Sequence, residues 1–233
     1  MARLLILLVI VFVYSFSGGK GIGVVFFSIN GGKTDSTTIY KQPKETSNKL
    51  ATYRIIFAAD EMGYQYSVTN PKYKAIAGQV EYGYEISGMP IDSIDETKSW
   101  VQVTIVFQEL NIISKGWIKV KNSNMDYLEW KNILPKRSVL FFDPFPKSIE
   151  FYDSMEGKLV HFNLEHYNDY STGQRRYNYV LHPLEAKGVW MKVKVVTPSD
   201  FCDQPKAPRS KILWIKYLDE KGKPLIFYPT RGC

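Results

Sequence analysis

The stretch Trp190-Met191-Lys192-Val193-Lys194-Val195-Val196 decides the fold class. Met191, Val193 and Val195 alternate with Trp190, Lys192 and Lys194, a period of two that puts one set on each face of an extended chain. β-Branched and aromatic residues in such alternation, bounded by turn formers, predict a strand with one buried face. Residues 101–107, Val-Gln-Val-Thr-Ile-Val-Phe, and 212–218, Ile-Leu-Trp-Ile-Lys-Tyr-Leu, read the same way. Asp219-Glu-Lys-Gly222-Lys-Pro224 separates the last of these from the apolar run 225–228, which predicts a hairpin turn with Gly222 at positive φ. Helical signal is confined to Met125-Asp-Tyr-Leu-Glu-Trp130, with Asn124 as N-cap and Pro135 close behind. The expectation is an all-β chain in which residues 121–136 form a short helical or irregular connection.

Working outward, the chain echoes itself. Tyr40 opens one half and Tyr152 the other; Trp100-Val-Gln-Val is followed by Trp190-Met-Lys-Val; Trp117-Ile-Lys-Val is followed by Trp214-Ile-Lys-Tyr. The spacings are 60 and 17 residues in the first half, 38 and 24 in the second. Order and strand phase agree while loop lengths differ, the pattern of divergent copies of one small β-domain.

A tyrosine-bearing strand before a Pro/Ser-rich turn, followed by a strand such as Gly116-Trp-Ile-Lys-Val120, resembles the bacterial SH3-like domain. The tail from Trp214 to Cys233 also resembles the C-terminus of uncharacterised exported Bacteroidetes proteins. The resemblance covers residues 36–120 and 137–233 and implies two small SH3-like barrels in tandem, with 18–35 as an N-terminal linker and 121–136 as the linker between them. Residues 50–100 form a long insertion in the first copy. The resemblance also implies a groove for cell-wall peptide or glycan, with Trp100, Trp117, Trp190, Trp214, Tyr40 and Tyr152 as the binding residues.

The tryptophans stand in the polar phase of their strands. Trp100 shares a face with Gln102 and Thr104, Trp190 with Lys192 and Lys194, and Trp117 with Lys119 and Lys121. An indole so placed is covered by a loop, packed against the sister domain, or open as a ligand platform. The phase predicts that Trp100 and Trp190 contribute more to partner binding or domain docking than to either core.

Residues 1–17 put Arg3 before an unbroken apolar run that ends at small residues, the layout of a cleaved secretory signal peptide. An uncleaved anchor is the alternative, since residues 22–29 are also apolar; on length, no stable transmembrane segment is expected after cleavage. The expected location is periplasmic or extracellular. The net charge of +7 falls to +6 without Arg3, and the lysines are scattered rather than gathered in a phosphate-tracking run, so no nucleic-acid partner is expected. Cys202 and Cys233 in an oxidising compartment are expected to form a disulfide, with free thiols and a metal site as alternatives.

Catalytic machinery is missing from the sequence. His161 and His166, five apart in an extended stretch, point to opposite faces, and His182 stands alone, which makes a poor metal set. No Gly-x-Ser-x-Gly elbow, phosphate-binding glycine loop or His-Glu-x-x-His occurs. The carboxylate pairs Asp92 with Asp95 and Asp200 with Asp203 are ordinary loop pairs. The reading is a non-enzymatic envelope binder without cofactor or metal, whose partner is peptidoglycan; a periplasmic protein-partner binder of immunity or inhibitor type is the alternative.

Overall fold

The computed structural model describes residues 21–28, 35–58, 63–82, 86–142, 150–168, 175–202, 205 and 207–228. The first part of the chain forms β1 (Gly23–Phe27), β2 (Asp35–Tyr40), β3 (Lys49–Ala58), β4 (Gly63–Thr69), β5 (Ala75–Ala77), β6 (Val80–Tyr82), β7 (Ile86–Ile91), β8 (Ser93–Ile94), β9 (Trp100–Phe107), β10 (Ile112–Lys119) and β11 (Met125–Glu129). One turn of helix, α1 (Trp130–Ile133), leads to β12 (Phe141–Phe142), β13 (Phe151–Tyr152), β14 (Leu159–Val160), β15 (Glu165–Asn168), β16 (Arg175–Asn178), β17 (Val180–Lys187), β18 (Trp190–Thr197), β19 (Arg209–Lys216) and β20 (Ile226–Phe227). The protein is all-β.

Alternation built the strands as read. Val101, Val103, Ile105, Phe107 and Ile118 lie in one buried cluster, and Met191, Val193, Val195, Leu213 and Ile215 in a second. Two sheets carry these clusters, and they share one run of strands. In the first half β4-β3-β2-β10-β9-β5 is the order, with β8 also paired to β9, and its run β3-β2-β10-β9-β8 matches β14-β13-β19-β18-β17 of the second, every pairing antiparallel. The inner residues correspond one to one along these strands: Ile39 with Phe151, Val101 with Met191, Val103 with Val193, Ile118 with Ile215. Gly222 sits at φ +78 and its N–H donates to the Asp219 carbonyl, the turn expected there. The strand beyond it is short, and β20 pairs with β12 rather than continuing beside β19.

The segments expected as linkers are structural. β1, inside residues 18–35, pairs with β11 on one side and β7 on the other. Val25 and Phe27 point into the first cluster, while Val24, with Phe26 packed beside it, points into the second. The sheet β11-β1-β7-β6 is thus a wall between two cores, and its central strand is apolar on both faces because both are buried. This accounts for the apolarity of residues 22–27 without a membrane. At Gly88 a Cβ would fall 2.1 Å from the Val25 carbonyl oxygen, so only glycine permits this approach of β7 to β1.

The helix expected over residues 125–130 is corrected: residues 125–129 are β11, and the helix starts at Trp130. Each residue of β11 has a partner in β1, and a ladder to a strand about a hundred residues earlier overrides a weak local helical preference. Trp130, Ile133 and Leu134 then anchor this connection in the second core. The insertion between residues 50 and 100 supplies most of β3 and all of β4 to β8. No helix among the described residues is long and apolar enough to cross a membrane.

Candidate functional site

Strand register brings the six candidate residues together as two matching clusters. In the first, Trp117 of β10 stands between Tyr40 of β2 and Gln102 of β9, and Lys119 stands opposite Trp100. In the second, Trp214 of β19 stands between Tyr152 of β13 and Lys192 of β18, and Lys216 stands opposite Trp190. The Tyr40 ring meets Trp100 edge to face, with centroids 5.6 Å apart and planes at 85°; Tyr152 meets Trp190 likewise at 4.9 Å and 89°. Even the strand exits agree. The N–H groups of Val120 and Lys121 both donate to the Ser99 carbonyl, and those of Tyr217 and Leu218 to the Val189 carbonyl.

Trp100 and Trp190 do lie on the outer faces of their sheets, outside both core clusters, yet each is only 8 % exposed. Their cover comes from their own halves: Tyr40 over Trp100, and Tyr152 with Lys216 over Trp190, the Lys216 ammonium being 5.3 Å from the indole centroid. The expectation that these two indoles serve partner binding or domain docking is therefore withdrawn. Of the three fates open to an outward tryptophan, they have the first, and each supports the tyrosine above it. Tyr40, Trp117, Tyr152 and Trp214 are half-buried and keep surface toward solvent.

The surroundings of the clusters differ. The first is ringed by carboxylates: Lys119 pairs with Glu45 from the turn after β2, and Lys115 lies 3.9 Å from Asp92, which also accepts the Thr104 hydroxyl. Asp95 closes the turn into β9 by accepting the N–H groups of Ser99 and Trp100, each at 2.7 Å, together with the Thr97 hydroxyl and N–H. Burial opposes its ionisation, but these hydrogen bonds outweigh burial and hold the carboxyl below the usual carboxylate range. In the second cluster the Tyr152 hydroxyl donates to Glu150 at 2.6 Å, and that bond, with some burial, pushes the phenol up.

Beside the first cluster lies a groove of about 270 Å³ lined by Ser36, Thr38, Tyr40, Glu45, Thr52 and Lys119, among others. A lining of hydroxyls together with a tyrosine suits a ligand with both polar edges and an apolar face, such as a sugar or a peptide backbone. A second cleft, of about 250 Å³, opens in the insertion between Tyr53, Tyr66, Gln79 and Met89.

The histidines have ordinary neighbours. His161 lies 2.6 Å from the Asn163 side chain, His166 packs on the Tyr177 ring, and His182 lies 2.8 Å from Asp200 and 3.1 Å from the Ser138 carbonyl. Cys202 is described, at φ +75, but Cys233, Asp203 and residues 1–17 fall outside the described residues, and with them the disulfide and the signal peptide.

Sequence reasoning passed over the cationic partners Lys119 and Lys216. The repeated tripeptide Trp-Ile-Lys, at 117–119 and 214–216, carried the signal. Comparison with protein-family models, with curated proteins and with solved structures finds no match to this chain. The likeness to bacterial SH3-like domains rests on the motifs alone.

Proposed function

We propose that the chain is an exported, non-catalytic binding protein of the cell envelope that recognises cell-wall peptide or glycan through its two outer aromatic clusters. One observation carries this reading: a half-buried tyrosine and tryptophan, Tyr40 with Trp117 and Tyr152 with Trp214, stand side by side twice on the outer face of a sheet and keep aromatic surface toward solvent. The signal-peptide layout of residues 1–17 supports export. Co-sedimentation of the purified protein with insoluble peptidoglycan tests the proposal. Sedimentation that fails when Trp117 and Trp214 are replaced supports it, and protein left in the supernatant at micromolar concentration overturns it.

A protein-partner role of the immunity or inhibitor type is favoured by a different feature. Leu110, Ile112 and Ile113 are 42 %, 51 % and 66 % exposed at the tip of the β9–β10 hairpin, a local apolar patch of the sort that partners cover. On that reading Ile113→Lys abolishes capture of a protein from envelope extract, and peptidoglycan binding is absent.

A further inference from the structure

We infer that the outer face of β18 and β19 binds an acidic polysaccharide, its sugar rings lying on Trp214 and Tyr152 and its carboxylate or phosphate groups on Lys192, Lys194 and Lys216. This rests on the envelope-binding reading and names the ligand class for the second of its two clusters.

The inference comes from superposing the two registers. Gln102 and Thr104 flank the first cluster on β9; the same positions on β18 are Lys192 and Lys194. Lys192 stands opposite Trp214 and Lys194 opposite Ile212, so the cations border the indole on the exposed side of the sheet. Neither β18 nor β19 contains an acidic residue. Lys115 and Lys119 of the first half both have carboxylate partners, whereas among the described residues Lys192, Lys194 and Lys216 form no ion pair within 4.0 Å. The margin of this face does carry carboxylates: Glu185 of β17 stands opposite Lys192 and pairs with Lys187 at 2.6 Å, Asp200 lies 2.8 Å from His182, and Glu150 accepts the Tyr152 hydroxyl, while every charged side chain on β18 and β19 themselves is cationic.

Lysines two residues apart on one strand face lie about 7 Å from each other, and a neighbouring strand about 5 Å away completes a row of positive charge beside an aromatic surface. Such a surface gathers anions by its field and orients a ring by contact. A flexible polymer with an acid group on successive sugars meets several of these cations at once, so its affinity exceeds that of a single acid group.

The test measures binding of the full chain to polygalacturonate, which bears carboxylates, to phosphomannan, which bears phosphates, to neutral dextran, and to phosphatidylglycerol vesicles. The inference predicts binding to one or both acidic polysaccharides, none to dextran, and affinity that falls with salt. Lys192→Gln with Lys194→Thr, which installs the first half's residues, is expected to weaken it roughly tenfold at an unchanged melting temperature. Gln102→Lys with Thr104→Lys is expected to add acidic-polymer binding to the first half. Equal binding to dextran, an unaffected Lys192/Lys194 variant, or vesicle binding with the same lysine dependence and no polysaccharide binding overturns the inference. Peptidoglycan sedimentation is read in parallel. Sedimentation without acidic-polymer binding removes this inference alone, and the converse removes the envelope-wall reading alone.

Discussion

The first and second halves of the chain build one sheet order, one register and one aromatic cluster, and then surround it differently. Around Trp117 the lysines are neutralised by Asp92 and Glu45, carboxylates delivered by loops, and a polar groove opens at Tyr40. Around Trp214 the flanking strand carries Lys192 and Lys194 in place of Gln102 and Thr104, with no carboxylate on either strand. What the halves share is the strand register that sets each tyrosine beside its tryptophans; what they do not share is the charge around them.

The largest test of the common part is removal of its enclosed indoles. Trp100→Ala and Trp190→Ala are expected to cost about 3–5 kcal/mol each, and by similar amounts, because each loses the same edge-to-face tyrosine contact. Denaturant midpoints measure this. Strongly unequal losses would show that the equivalence stops at backbone register.

The cysteines belong to the second half only. If Cys202 and Cys233 are bridged, the native protein yields no alkylatable thiol, and reduction lowers stability by about 3–4 kcal/mol while leaving the first half's register intact. Mass spectrometry before and after reduction reads the first point, and a melting curve the second.

Gly116 separates the halves next. A Cβ there would lie 2.4 Å from a methyl of Ile39, whereas the position equivalent to Gly116 on β19 is the buried Leu213. Gly116→Ala is expected to destabilise by about 1–3 kcal/mol through overpacking. A neutral result would mean that β10 has room to shift, as β19 has for leucine.

A smaller difference is acid sensitivity. Asp95 holds the turn into β9, and its carboxyl is depressed by the hydrogen bonds it accepts; the matching turn into β18 passes through Gly188 at φ +58 and contains no carboxylate. A depressed carboxyl contributes fully at neutral pH. That contribution fades once pH drops below the unfolded value of about 3.9 and is gone below the depressed folded value. Asp95→Asn is therefore expected to lower stability at pH 7 and to flatten the acid limb of the stability profile.

Much of this was legible in the sequence. Period-two alternation gave the inward faces of β9, β10 and β18, and the doubled Trp and Tyr positions gave the residues of the two clusters, because side-chain phase follows from the extended chain alone. What stayed hidden depended on contacts distant in sequence. β1 read as a linker because a strand buried on both faces has no alternation, and Met125 to Glu129 read as helix because its partner strand lies near the other end of the half. Trp100 and Trp190 were placed on the correct face but not under their tyrosines, which pairing brings from 60 and 38 residues upstream. Neutralisation of Lys119 by Glu45, 74 residues away, was equally out of sight.

The central claim is that the solvent-facing parts of the two clusters bind the cell wall. It is tested most directly by sedimenting Trp117→Ala, Trp214→Ala and the double variant with insoluble peptidoglycan, each first checked for an intact melting transition. Each single substitution is predicted to weaken binding and the double substitution to abolish it. A folded double variant that sediments like the unmodified protein would contradict the account.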